Sequence, residues 1–203
     1  MILKPNGYDD IQINEDFTPI SLGGHKGVIV NVEEYTSDFS GNTSLKVYVD
    51  TDKDDTQPNY FKEQYKNDTR PDKKWSNSAI KYVSLKEEES CIRMLKAFIT
   101  SVENSNKGFK FDWNKEVNQL KGKKVGLIFG LEEYENDKGE IKTIAKLNQF
   151  RSVDKIDNVK IPKVKLLDGS FVEYEDYNKS QNTFKQKNLI DDVIEIASED
   201  LPF

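Results

Sequence analysis

The run Val28-Ile29-Val30-Asn31-Val32-Glu33 limits the fold most, because valine recurs at every second position. A period of two fits a half-buried strand and not an amphipathic helix. Leu45, Val47 and Val49 repeat the pattern against Lys46, Tyr48 and Asp50. The turn-rich stretch between them, residues 36–42 (TSDFSGN), joins the two strands most simply as a hairpin. On this parity Val28, Val30 and Val32 point inward, while Tyr35, Lys46 and Tyr48 point outward with Glu33.

The segment from Thr51 to Ser78 is polar, holds two prolines and shows no apolar period, so it reads as an extended loop. A short third strand is predicted over Ala79 to Leu85. Ser84 and Glu87 have capping-box spacing, and Glu87, Glu88 and Glu89 suit the positive end of a helix dipole. A helix is therefore expected from Ser84, with Ile92, Leu95, Ile99 and Val102 on one face and Met94 and Phe98 beside it. Asn104 to Gly108 stops it. Val125, Leu127 and Phe129 begin a fourth strand running towards Tyr134. Asn136 to Gly139 (NDKG) is a hairpin turn, and Ile141 to Val153 is a fifth strand. Three strands, a helix and two strands is the order of a mainly β, five-stranded OB-type Greek-key barrel, a fold that binds oligonucleotides on one face. Lys163 to Tyr174 reads as a small peripheral hairpin around Asp168-Gly169. The expected organisation is a lead-in over residues 1–25, a decorated barrel over 26–174, and a polar linker with a disordered acidic tail over 175–203.

A net charge of −6 is unusual for a nucleic-acid binder, but the charge is unevenly spread. After Lys187 there are five acids (Asp191, Asp192, Glu195, Glu199, Asp200) and no base, which leaves 31 acids against 30 bases before it. Tyr60 to Lys81 holds six bases and three acids, and Ile141 to Lys165 holds seven and two. A near-neutral body can carry a basic stripe.

Three features point to binding. In the long segment Tyr60, Phe61, Tyr65 and Trp75 are interleaved with Lys62, Lys66, Arg70, Lys73 and Lys74, the rings and cations that exposed bases and phosphates require. The same rings could instead pack onto the barrel. The outward positions Tyr35, Lys46 and Tyr48, with Lys142, Lys146 and Phe150 on the last strand and Arg151 next to them, suit a binding face. Finally, an acidic tail with an apolar tip, Leu201-Pro202-Phe203, suits capture in a basic pocket, and the same tail can compete with DNA for the chain's own basic groove.

Asp200-Leu201-Pro202-Phe203 resembles the acidic tip of bacterial single-stranded-DNA-binding proteins. With the strand and helix order, the chain looks like a phage-encoded member of that family. Gly122 to Arg151 is also similar to stretches in small phage replication-module proteins. The resemblance implies docking of replication or recombination proteins on Asp200, Leu201, Pro202 and Phe203. The long segment after the second strand departs from the bacterial pattern and leaves homo-oligomerisation open.

Other chemistry finds little support. Asp50, Asp52 and Asp54 begin a calcium-loop spacing, but Asp55 stands where Gly is needed and Phe61 where Glu is needed. One cysteine, Cys91, and one histidine, His25, leave no zinc cluster, and His25 in Gly-Gly-His-Lys-Gly reads as a loop residue. No cofactor, metal or catalytic set is expected, and a magnesium-dependent nuclease is the least supported class. The first ten residues lack an apolar leader and no run spans a bilayer, so a cytoplasmic protein without membrane partners is expected. The expected function is sequence-tolerant single-stranded DNA binding. The alternative is an interaction module that mimics the host tail and competes for host replication enzymes.

Overall fold

The computed structural model describes Lys4 and residues 18–181. Most of the expected lead-in and all of the acidic tail, Asp191 to Phe203, lie outside the described residues. One mainly β sheet organises the rest. Its strands are β1 (Gly23–Thr36), β2 (Thr43–Thr51), β3 (Ile80–Ser84), β4 (Lys124–Glu135), β5 (Ile141–Arg151), β6 (Val164–Lys165) and β7 (Phe171–Val172). They run in the order β3-β2-β1-β4-β6-β7, with β5 also paired to β4. The expected hairpins at residues 37–42, 136–140 and 166–170 all form, and Gly139 and Gly169 take the positive φ those turns need. Helix α2 (Glu89–Ser105) lies between the third and fourth strands, as expected. Strand β5 brings Cα atoms within 8 Å of β3, but no ladder joins them, and the sheet is not closed into a barrel.

Two β-bulges reset the side-chain parity. On β1, Ile29 faces Val49 and Asn31 faces Tyr48, so Val30 is an extra residue. Gly23, His25, Gly27, Ile29 and Val32 are therefore the buried positions, and Val28 and Val30, expected inside, are half-buried. On β5, Ile128 of β4 faces Gln149 while Phe129 faces Leu147, which leaves Asn148 unpaired. Lys146 and Phe150, expected on one face, consequently point to opposite sides.

The core joins Ile29, Val47, Val49, Val125, Leu127 and Phe129 of the sheet to Phe98, Ile99 and Val102 of α2. Phe98 lies 4.6 Å from Phe150. On the reverse side, Ile156 packs against Gly24 and Gly126, where any Cβ would collide with it. That close approach helps bury Ile128, the residue opposite Gly24 in the ladder.

Three local expectations change. The long segment is not loop throughout, because α1 (Tyr60–Asn67) forms within it. Asn59, in the left-handed region, gives this helix no side-chain cap. The cap comes from the end of β2: Asp50 Oδ1 accepts the Phe61 N–H at 2.9 Å and Thr51 Oγ1 accepts the Tyr60 N–H at 2.9 Å. Helix α2 begins at Glu89 rather than Ser84, since Ser84 is still paired with Ser44 and its hydroxyl accepts the Lys86 N–H. Its exposed side includes Ile92, which the periodicity placed inside. The segment read as linker starts as a helix, residues 174–181, held to β4 by Tyr177, whose hydroxyl donates to Glu133 at 2.9 Å. Burial, then that bond, pushes the Tyr177 hydroxyl up to about 12.

Candidate nucleic-acid interface

Register builds a patch on the outer face of β1, β2 and β3. Glu33, Lys46 and Tyr82 lie opposite one another in one row; Tyr35, Ser44 and Ser84 form the next; Asn31, Tyr48 and Ile80 form the third. Directly opposite residues share a face of a sheet, so the parity of each strand converges on Lys46. Its ammonium lies 5.1 Å from the Tyr48 ring centre, 5.6 Å from Tyr35 and 6.0 Å from Tyr82. Tyr35 and Tyr82 meet edge to face at 5.4 Å.

Glu33 is the counter-charge, 3.6 Å from Lys46, and it accepts the Tyr48 hydroxyl proton. Hydrogen bonding to Tyr48 raises Lys46 above its ordinary value, and Glu33 adds to this, so the ammonium stays charged. Burial raises the Tyr48 phenol, and donation to Glu33 raises it further, so the phenol stays protonated. The patch thus offers one cation and three ring faces or edges to a ligand, with one carboxylate to displace.

An open groove of about 470 Å³ extends the patch past the ends of β1 and β3, lined by Tyr35, Ser44, Tyr82, Ser84, Lys86 and Glu88, with Lys86 paired to Glu88 at 3.6 Å. Phe39, at the tip of the β1–β2 hairpin, is fully exposed. The sequence reading missed Tyr82, Lys86 and Phe39. For Tyr82 a signal existed: with Val83 inside, its neighbour must face out, opposite Lys46.

The long segment contributes less than its composition implied. Phe61 is buried and stacks on Phe129 at 5.8 Å. Tyr60 packs edge-on against Phe61, and Trp75 packs on the core with its indole N–H donated to the Val49 carbonyl at 3.1 Å. Tyr65 remains partly exposed, 5.9 Å from Trp75, with the Lys73 ammonium 4.8 Å above its ring. Lys66 pairs with Glu63, and Arg70 makes a bidentate pair with Asp68 that holds the Asp68 carboxyl down at about 2. Lys62 and Lys74 are exposed.

On β5, Phe150 belongs to the core, Lys142 pairs with Glu140 and Lys146 pairs with Glu132 at 3.0 Å. Arg151 is exposed. Lys165 joins Lys146 on Glu132. Burial raises Glu132, but these two lysines together outweigh it and leave the carboxyl lowered. Lys81 is lowered, chiefly by burial and then by Lys146.

His25 is a buried strand residue rather than a loop residue. Its Nδ1 lies 2.8 Å from Asp55 Oδ1, and its Nε2 is shared between the Ser21 hydroxyl at 2.9 Å and the Ser21 carbonyl at 3.0 Å. With its ring edge-on to Phe129 at 5.5 Å, it pins residues on both sides of the β1–β2 unit to the core. Among the described residues no cluster of histidine, cysteine or carboxylate side chains could hold a metal, and no helix is long and apolar enough to cross a membrane. In comparisons with known proteins, no family model and no curated sequence matches the chain.

Proposed function

We propose that the chain binds single-stranded DNA without strong sequence preference, on the outer face of β1, β2 and β3. The observation that carries this reading is Lys46 seated among Tyr35, Tyr48 and Tyr82. Base stacking on aromatic rings contributes about 1–3 kcal/mol per base and tolerates any base, while a cation answers the phosphate. Tyrosine patches also bind proteins. A lysine at the centre, continued by a hydroxyl-lined groove in which Lys86 lies 3.6 Å from Glu88, favours a phosphate-bearing strand that displaces the carboxylates of Glu33 and Glu88.

On this reading the open sheet is an OB-type arrangement in which β5 approaches β3 without a ladder. The order β1-β2-β3-α2-β4-β5, the pairing of β1 with both β2 and β4, and the approach of β5 to β3 all support it. The biological role that follows is protection of single strands in phage replication or recombination, in the host cytoplasm. The segment Asp191 to Phe203 would recruit replication or recombination proteins.

The test is a mobility shift with a labelled unstructured oligonucleotide at low and high salt, with a duplex control. Preferential binding of the single strand, with affinity falling steeply as salt rises, is the expected result. Binding that ignores salt, or equal binding of duplex, sinks the reading. Tyr82→Ala should weaken binding by about 1–3 kcal/mol while leaving the melting temperature nearly unchanged, since the ring is 47% exposed.

A further inference from the structure

We propose that Trp113, in the connection between α2 and β4, is a second stacking platform for the same single strand. The inference rests on the DNA-binding reading above and extends it to a surface outside the β1–β2–β3 patch.

Trp113 is 70% exposed, although indole surface is among the most favourable to bury. Its ring stands edge-on to Phe111 at 4.8 Å, and Phe111 packs against the core. The backbone around it is braced. Gln119 accepts the Asp112 N–H at 2.9 Å and donates to the carbonyls of Asp112 at 2.8 Å and Glu116 at 3.1 Å. Glu103 accepts the Phe111 N–H at 3.0 Å. Asn106 closes the base of the segment by bonding both the N–H and the carbonyl of Lys124. The braced backbone and the edge contact with Phe111 restrict where the indole can go, which lowers the ordering cost of binding.

Charge selects the occupant. Residues 103–124 hold six lysines against three acids. Glu103 and Asp112 are engaged by Lys110 and Lys115, Lys124 pairs with Asp52 and Asp54, and Glu116 is exposed and pairs with no lysine among the described residues. Lys107 and Lys121 are exposed and form no ion pair among the described residues. An exposed indole in a basic surrounding fits a nucleobase with its phosphates. The segment also adjoins the patch through the sheet: Ile29 of β1 exchanges backbone hydrogen bonds with Gly122 and Lys123, and β1 is the strand next to β2. A single strand crossing the sheet from β3 past β2 and β1 covers three strand spacings of about 4.8 Å, about 14 Å, before it reaches the start of β4.

The test uses the full chain and oligothymidylates of about 4 and about 16 nucleotides, the span of site sizes for one OB fold. Trp75 is tied to Val49 in the core, so quenching of tryptophan emission on binding should come from Trp113, and should persist in Trp75→Phe. In Trp113→Ala the gain in affinity from short to long oligonucleotide should fall by about tenfold, as loss of one stacked base implies. Phe171→Ala, an exposed ring elsewhere, is the control and should leave both affinities unchanged. An unchanged gain in Trp113→Ala, with the wild type binding both oligonucleotides, overturns this inference alone. A wild type that binds neither overturns the DNA-binding reading and this inference with it.

Discussion

At the scale of single residues, the decisive distinction lies between rings that pack and rings that are presented. Phe61 and Tyr82 look alike in composition, yet one is buried on Phe129 and the other faces solvent beside Lys46. Phe61→Ala should destabilise the fold by about 3–5 kcal/mol in a denaturant titration, the usual cost of removing a buried phenyl ring. A loss below about 1 kcal/mol, the range of surface changes, would contradict its place in the core. Glu33 makes a sharper case, because it occupies Lys46 and the Tyr48 hydroxyl at once. Single-strand binding requires phosphate to displace that carboxylate. Glu33→Gln keeps the shape and removes the competing charge, so its affinity for an oligonucleotide at low salt should rise severalfold, with little change in stability. Weaker binding in this variant would mean that Glu33 is itself part of the recognition surface.

At the scale of elements, the strands were legible and their faces only partly so. Alternation located β1, β2, β4 and β5, but Val30 and Asn148 each add a residue that the partner strand does not match, and a one-residue shift moves every later side chain to the other face. The outward orientation of Tyr35, Lys46 and Tyr48 follows from simple alternation because they lie on the hairpin side of the Val30 bulge. Phe150 was misread because it lies beyond Asn148. Helix α1 was hidden for a different reason: its N-terminal amides are satisfied by Asp50 and Thr51, from another element, so no local capping signal exists. Asp50 yields a pH prediction. Burial raises its carboxyl above the ordinary value of 3.8, and the backbone N–H groups it accepts offset this only in part. Its favourable contribution is therefore present below the unfolded value and lost as pH rises through the folded one. Asp50→Asn retains an acceptor for the helix and does not titrate. Its melting temperature relative to the wild type should rise between about pH 3 and about pH 7, the range that brackets a raised carboxylate. A relative fall over that range would show that the ionised carboxylate stabilises the helix end.

At the scale of the whole molecule, the DNA-binding proposal has to account for a chain of net charge −6 holding a polyanion. Only local fields within about a Debye length act on a strand at the patch, roughly 8–10 Å at ordinary ionic strength. On the DNA-binding proposal Lys46 acts at the centre of the patch, Lys86 acts there against its partner Glu88, and Lys107 and Lys121 add positive charge in the segment that carries Trp113, whereas acids elsewhere act only as far as salt allows. The acidic segment after Lys187 is the term that can be removed cleanly. A chain ending at Lys187 loses five acids and no base, which takes the net charge from −6 to −1. If that segment competes with the strand for the basic surface, the shortened chain should bind an oligonucleotide more tightly at low salt, by about tenfold. The advantage should shrink towards none near 1 M salt, where the Debye length is about 3 Å. Because the two chains share every residue of the patch and of the Trp113 segment, the difference between their salt curves isolates the electrostatic contribution of the tail. Curves that coincide at all salt concentrations would show that the acidic segment does not compete with the bound strand.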